Sequence, residues 1–125
     1  MSRYLIDTQA LAWFFTDTAK LSKKAFSILK DSNIEVIIPT VVLAELMHVA
    51  KKRLEIDFKS ILNQIKSLRN CEICPLNLEV IEEMLQVDDT LEMHDRIIVA
   101  SAMLTNASLI SKDSKIQKIY KKTVW

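Results

Sequence analysis

Short runs of consecutive apolar residues alternate in this chain with segments that have the spacing of helices, and this alternation limits the possible folds most. The apolar runs, predicted as strands, cover residues 4–6, 36–38, 73–76, 108–111 and 123–125. Helical spacing predicts helices at 8–15, 22–30, 40–53, 58–68, 78–85 and 93–106. Strands that are apolar throughout are buried on both faces. The pattern therefore predicts an α/β fold with a mostly parallel sheet covered by helices.

Length and composition point to one globular unit. The chain has 125 residues, half of them apolar and only two of them proline, and it is too short for two ordinary domains. We therefore expect a single domain over residues 1–125. No apolar stretch approaches the roughly 20 residues of a membrane span, and the start lacks the long apolar core of a signal peptide. These features favour a cytoplasmic protein that has no membrane partner.

The chain has no glycine, and this excludes several classes of enzyme. Phosphate-binding loops and dinucleotide-binding turns need glycine where the backbone approaches a phosphate. The nucleophile elbow of esterases also needs glycine. Walker-type ATPases, Rossmann dehydrogenases and α/β-hydrolase esterases are therefore improbable.

Acidic residues follow the predicted strands. Ligands of open α/β sheets bind beyond the carboxyl ends of the strands. Asp7 follows the first strand, Asp113 lies two residues past the fourth, and Glu45 lies in the second turn of the helix after the second. Asp95 lies in the first turn of the helix 93–106, so the segment 87–93 must return the chain to the same edge.

Each acid also has an ordinary explanation. Asp7 and Asp113 could be helix N-caps, and Asp95 could interact with a helix dipole. Glu45 lies within the apolar segment 41–47, so we expect it to be partly buried, where an unpaired carboxylate is costly.

Four converging carboxylates would repel one another unless a cation lay between them. Mg²⁺ or Mn²⁺ fits best, because hard ions take oxygen ligands. Such an ion can activate water to attack a phosphodiester and can stabilise the leaving oxygen.

Four segments together resemble the PIN-domain nucleases, especially the VapC-type toxin ribonucleases of toxin-antitoxin pairs. The resemblance spans the whole chain, and its last two segments, in that order, are the most specific. The segments are Tyr-Leu-Ile-Asp7-Thr-Gln-Ala-Leu, Pro39-Thr-Val-Val-Leu-Ala-Glu45-Leu, His94-Asp95-Arg-Ile-Ile-Val-Ala-Ser-Ala and Leu109-Ile-Ser-Lys-Asp113.

The resemblance implies a three-layer α/β/α sandwich and a metal-dependent endoribonuclease. Asp7, Glu45, Asp95 and Asp113 would form its catalytic acidic quartet and its metal site, with Asp7 and Asp95 as the direct ligands. It also implies that the helix start carrying Asp95 faces the site.

Three further residues would lie near the acids in such a fold. Thr8 and Ser111 could hold a carboxylate or a metal-bound water, although capping is their ordinary role. Arg96 could contact a substrate phosphate or pair with an acid.

The chain departs from many relatives at one turn, where Asn106-Ala107 stands in place of a glycine before the fourth strand. Some relatives also have a further acid upstream of the third one. Asp88, Asp89 and Glu92 are the candidates for that place, and the sequence leaves the choice open.

The resemblance also implies partners. An antitoxin would present Arg or Lys to the acids, and RNA would be the substrate. Trp13, Phe14 and Phe15 could form apolar surface for that antitoxin or for a homodimer, or they could belong to the core.

With the four acids set aside, the chain has 17 basic residues and 12 acidic ones. The lysines near the C-terminus could meet a phosphate backbone or simply be solvated; they are Lys112, Lys115, Lys118, Lys121 and Lys122.

Competing interpretations have weaker support. Glu45 and His48 form half of a di-iron motif that normally occurs twice in a helical bundle. Cys71 and Cys74 have redox or zinc spacing, but a strand would point them to opposite faces, so we expect buried structural thiols. His94 could shuttle protons or support Asp95. The acids do not follow the order of a phosphoacceptor receiver domain, and a catalytically silent PIN-like binding module would normally lack some of them.

Overall fold

Five strands alternate with seven helices in the computed structural model, which describes residues 2–125. The strands are β1 (Arg3–Ile6), β2 (Glu35–Pro39), β3 (Cys71–Cys74), β4 (Ser108–Ile110) and β5 (Thr123–Val124). The helices are α1 (Thr8–Thr16), α2 (Lys23–Lys30), α3 (Thr40–Ala50), α4 (Phe58–Ser67), α5 (Leu78–Glu83), α6 (Met93–Leu104) and α7 (Ser114–Ile119). Short 3-10 turns lie at Thr18–Lys20 and Met84–Gln86.

The strands form one sheet in the order β3-β2-β1-β4-β5, and every pair is parallel. Ile6, Val36 and Ile38 face a cavity that α1, α2 and α4 also line. The opposite face packs against α6, which contacts β1 and β4. The predicted α/β class and its three-layer α/β/α arrangement are confirmed.

Some predicted boundaries were wrong by a few residues. Strand β3 ends at Cys74, not at residue 76, because Pro75 has no N–H to continue the hydrogen-bond ladder. Helix α3 ends at Ala50, not at residue 53, since Lys51 and Lys52 donate to carbonyls only three residues earlier and tighten the chain into a turn. Helix α6 likewise stops at Leu104, short of residue 106.

The end of α6 explains the departure from glycine at this turn. Asn106 has φ of 54°, the left-handed conformation that glycine adopts most easily and asparagine tolerates. The N–H of Ala107 donates to the carbonyl of Ala102 at 2.9 Å, which closes the helix. Lys122 Nζ donates to the amide oxygen of Asn106 at 2.9 Å. Asn106 therefore performs the conformational task of the glycine.

Helix α5 ends at Glu83, not at residue 85, and a 3-10 turn follows it; the apolar side of these two elements is exposed. Leu78, Ile81 and Leu85 are 70%, 51% and 80% exposed, whereas Val80 is fully buried. Periodicity identified residues that share a face without showing what covers that face. This surface is open in the isolated chain.

The two cysteines are free thiols. Cys74 is buried as expected, whereas Cys71 is only half-buried and lines the apolar cavity. Among the described residues, no helix is both long and apolar enough to cross a membrane.

Candidate active site

The ends of β1 and β4 bring Asp7 and Asp113 to the same edge of the sheet. The two strands are neighbours, and the N–H of Asp7 donates to the carbonyl of Ile110 at 3.3 Å. Both side chains line a cleft of about 460 Å³, together with Glu45 and Asp95. The structure therefore brings all four acids of the expected quartet into one cleft.

Helices α3 and α6 supply the other two acids of the cleft. Glu45 lies in α3, which starts directly after β2, and α3 packs against both α1 and α6. The chain returns from α5 through a loop anchored by the buried side chains of Val87 and Leu91. Helix α6 therefore begins at the same edge of the sheet, with Asp95 in its first turn.

Asp7 and Asp113 are also helix N-caps. The Oδ1 atom of Asp7 accepts the N–H of Ala10 at 2.9 Å and caps α1. The Oδ1 atom of Asp113 accepts the N–H groups of Lys115 at 2.8 Å and of Ile116 at 3.0 Å, capping α7. The sequence presented capping and a place in the site as alternatives, yet both hold, because these caps use one oxygen of each carboxylate.

Two hydroxyl groups hold carboxylates of the cleft in place. The Thr8 hydroxyl donates a short hydrogen bond to Glu45 Oε1. The buried Ser111 hydroxyl lies beside Asp7, where it acts to lower the pKa of that carboxyl, and its oxygen accepts the N–H of Asp113 at 3.1 Å. Both residues therefore lie beside the acids, as the resemblance implied.

The structure does not pair Arg96 with an acid of the cleft. Its guanidinium donates to the carbonyl of Met84 at 2.9 Å, and it is not part of the cleft lining. Within residues 2–125 it has no ion pair with an acid. The side chain points from α6 towards the 3-10 turn at Met84–Gln86, so it braces the return segment instead of meeting an acid.

His94 and Glu92 belong to the cleft as well, although sequence reasoning gave neither a definite place in the site. His94 Nε2 lies 3.5 Å from Glu45 Oε2 and 3.4 Å from Asp95 Oδ1, and Nδ1 lies 3.8 Å from Glu92 Oε2. The imidazole thus stands among three carboxylates. In the sequence, the only indication that His94 belongs to the site was its position next to Asp95.

Of the three candidates for a further acid, only Glu92 lines the cleft. Asp88 accepts hydrogen bonds from the N–H and hydroxyl of Thr90 in an exposed turn, and Asp89 is exposed. His48 is exposed on α3 and lies outside the cleft lining, so the di-iron interpretation gains nothing from the structure.

Burial makes two acids of the cleft, Asp7 and Asp95, weaker than usual. Desolvation raises the pKa of Asp7 from 3.8 to about 6, and the nearby charges of Asp95 and Asp113 add to the effect, whereas hydrogen bonds from Ser111 and Ala10 oppose it. Desolvation also raises the pKa of Asp95, while His94 acts in the opposite direction. The protein's own groups therefore neutralise the negative charge of this cleft only in part.

The donor set of the cleft fits a hard divalent cation. The quartet offers only carboxylate oxygens, which such ions prefer. One of its members, Asp95, also has a ligand atom within 4.8 Å of ligand atoms of Glu92 and His94, which lie outside the quartet. Arg53 is the cationic side chain at the rim, but its Nε pairs with Glu55 Oε1 at 2.7 Å. An added cation would offset the desolvation, and the smaller repulsion from Asp95 and Asp113, that raise the pKa of Asp7.

Comparison with known proteins gives one family and a consistent fold. The family profile described as the PIN domain matches residues 4–122, and members of that family are generally nucleases. A comparison with curated protein sequences gives no match.

Solved structures of toxin-antitoxin systems have a similar fold. VapBC2 from Rickettsia felis, bound to a DNA fragment from its promoter, matches with a TM-score of 0.73 and 19% identity, over 94% of this chain and 92% of that one. A toxin-antitoxin complex from Klebsiella pneumoniae has a TM-score of 0.70 and 22% identity, over 98% and 96%. VapBC-1 from nontypeable Haemophilus influenzae has a TM-score of 0.65 and 18% identity, over 93% and 90%. At these identities the likeness shows the fold.

Proposed function

Since the chain belongs to the PIN domain family, we propose that it is a metal-dependent endoribonuclease that hydrolyses RNA phosphodiesters with the acids of the cleft. The observation that carries this proposal is the convergence of Asp7, Glu45, Asp95 and Asp113 at the carboxyl edge of the sheet. A catalytically silent binding module would have no need to hold four mutually repelling carboxylates together.

The cofactor of the proposed reaction is Mg²⁺ or Mn²⁺. Asp7 and Asp95 would bind the ion directly, and Glu45 and Asp113 would complete the acidic site. When bound, the ion supplies positive charge that stabilises the negative charge developing on the phosphate.

The protein's own groups position the acids and supply a group that can carry a proton. The Thr8 hydroxyl fixes one oxygen of Glu45, and the N–H of Ala10 fixes one oxygen of Asp7. His94 Nε2 stands beside Glu45 and Asp95, where it can take up or release a proton. The acids thus keep a geometry that does not have to be reorganised when the substrate binds.

The biological setting that we propose is the toxin of a toxin-antitoxin pair in the cytoplasm, with residues 1–125 acting as one nuclease domain. The antitoxin would block the cleft by presenting Arg or Lys to its carboxylates, which pair strongly with such groups. The structural neighbour described as a toxin-antitoxin complex supports this partner. Two exposed leucines, Leu78 of α5 and Leu85 of the 3-10 turn after it, support a second contact, between two copies of the chain.

RNA cleavage by the purified protein tests the proposed activity. A mixed RNA pool is incubated with Mg²⁺, with Mn²⁺ and with EDTA, beside single-stranded DNA as a second substrate. We expect RNA cleavage only when a metal is present, and a loss of about 100-fold or more for Asp7→Asn and for Asp95→Asn.

Asp31→Asn is the matched control for these variants. Asp31 is an exposed aspartate that accepts the N–H of Asn33 at 2.9 Å, and asparagine keeps that acceptor. This variant should cleave like the wild type. Cleavage that continues in EDTA, or in both cleft variants, would contradict the proposed function.

A further inference from the structure

An aromatic side chain stands in the wall of the cleft, and the chemistry proposed above does not use it. Trp13 lies on α1, one turn beyond Gln9, and both line the cleft together with Ala12. Trp13 is half-buried: part of the side chain packs against the core, and part borders the open cleft. An indole in this position is available to a ligand that reaches the acids.

The structure holds this indole in place from one side. The Trp125 ring has its centroid 6.0 Å from that of Trp13, at an interplanar angle of 54°. Strand β5 fixes Trp125 in turn, since Val124 pairs with Ile110 and accepts the N–H of Ser111 at 3.2 Å. The aromatic pair is therefore anchored to the same strand end that leads to Asp113.

A cation accompanies the aromatic pair. Lys112 Nζ lies 5.6 Å from the centroid of the Trp13 ring, within the range of a cation–π contact. Lys112 is exposed and directly precedes Asp113. A positive charge thus stands over the indole at the wall of the cleft, on the residue that precedes Asp113.

The negative charge of the cleft limits which part of an RNA can bind beside the indole. The lining has five carboxylates, whereas its one Arg or Lys is Arg53, already paired with Glu55; the acids are Asp7, Glu45, Glu92, Asp95 and Asp113. Such a surface repels phosphates, even when one divalent ion is bound. The uncharged bases have π faces that stack on aromatic side chains in proteins that bind single strands.

We propose that Trp13, supported by Trp125, is a stacking site for one unpaired base of the RNA, and that Lys112 contacts the phosphate next to that base. This inference rests on the proposed function and names a substrate contact for it. It requires the RNA to be single-stranded at the cleft, because a paired and stacked base cannot offer its face to an indole.

Tryptophan fluorescence provides a direct test, since the chain has only two tryptophans. Trp125→Phe leaves Trp13 as the single reporter, and Asp95→Asn in the same protein prevents cleavage if the proposed function is right. This protein is titrated, with Mg²⁺ present, with a short single-stranded RNA and with an abasic oligomer of equal phosphate number. Labelled copies of both oligomers report binding by anisotropy. We expect only the RNA to quench Trp13.

Affinity measurements complete the test. In the Asp95→Asn background, Trp13→Leu should weaken RNA binding by about 5- to 150-fold, and Trp13→Phe should recover much of the loss. Phe15→Leu is the control, because Phe15 lies on the same helix but lines the apolar cavity across the sheet from α6; its affinity should equal that of the parent. A thermal melt of each variant separates lost folding from lost stacking.

The outcomes distinguish this inference from the proposed function. Equal quenching by both oligomers, or RNA binding that neither quenches Trp13 nor weakens in Trp13→Leu, would overturn the stacking site alone. Binding of neither oligomer would overturn the stacking site, whereas the proposed function is decided separately by RNA cleavage with the wild-type protein. Cleavage of the RNA by the Asp95→Asn protein, visible on a gel, would contradict the proposed catalytic acids. The quenching result would then still test the stacking site.

Discussion

The ionised carboxyl group of Asp7 destabilises the metal-free protein. The direction in which stability changes with pH follows from the raised pKa of this group. The pKa is about 6 in the folded protein against 3.8 for an ordinary aspartate. Between these values the folded form holds a proton that the unfolded chain has lost, so stability falls as the pH rises from about 4 to about 6. Above that range the cost is at most about 3 kcal/mol, at about 1.4 kcal/mol per pKa unit.

Asp7→Asn should therefore stabilise the protein in EDTA at neutral pH. Asparagine has no charge to desolvate, and its amide oxygen can still accept the N–H of Ala10. We expect the free energy of unfolding to rise by about 1–3 kcal/mol at about pH 7.5, and the gain to shrink towards zero at about pH 4. Urea unfolding at the two pH values measures both. Asp31→Asn should show no gain at either pH, and a less stable Asp7→Asn protein at about pH 7.5 would contradict the argument.

At the scale of secondary-structure elements, the two roles of Asp113 can be separated. Serine caps helices about as well as aspartate does, so Asp113→Ser should keep the start of α7 and change the free energy of unfolding by less than about 0.5 kcal/mol. The same variant removes a carboxylate from the cleft, so RNA cleavage should fall sharply. Asp57→Ser makes the identical change at the N-cap of α4, outside the cleft, and should alter neither property. Full cleavage by Asp113→Ser would mean that Asp113 acts only as a helix N-cap.

The left-handed residue at the end of α6 allows a test of local stability. Asn106→Ala should lower the free energy of unfolding by about 1 kcal/mol, because a Cβ without a polar partner disfavours positive φ. Asn106→Gly loses the same hydrogen bond from Lys122 but has no such conflict, so it should be clearly more stable than Asn106→Ala. Thermal unfolding of the two variants compares them. Equal stability would mean that the lost hydrogen bond, not the backbone conformation, sets the cost.

The elements also show where sequence reasoning succeeds and where it stops. Apolar runs predicted the parallel sheet, and the parallel sheet placed Asp7 and Asp113 at one edge. The partner of Arg96 could not be predicted in the same way, because Met84 is twelve residues away and meets it only through the return of the chain from α5. The place of Glu92 depends on the same return. Periodicity likewise could not show that Leu78 is exposed.

At the scale of the whole molecule, chain topology explains why the acids meet. Strands β1 and β4 are far apart in sequence but adjacent in the sheet, and all the strands end at one edge. The loops and helix starts at that edge therefore collect carboxylates from four separate segments. Each carboxylate comes with a hydrogen bond or a helix that fixes it, but the one Arg or Lys that lines the cleft, Arg53, pairs with Glu55 instead.

An added divalent ion should therefore stabilise the whole fold. A ligand that binds only the folded state raises its stability by about 2.7 kcal/mol at a concentration 100 times its dissociation constant, so the Tm should climb steadily with Mn²⁺. The rise should be smaller at about pH 5 than at about pH 7.5, because protons compete for Asp7 below its pKa of about 6. Asp95→Asn should lose most of the rise. Sodium chloride at matched ionic strength separates screening from binding, and an equal Tm increase with sodium would mean that the cleft relieves its repulsion without holding an ion.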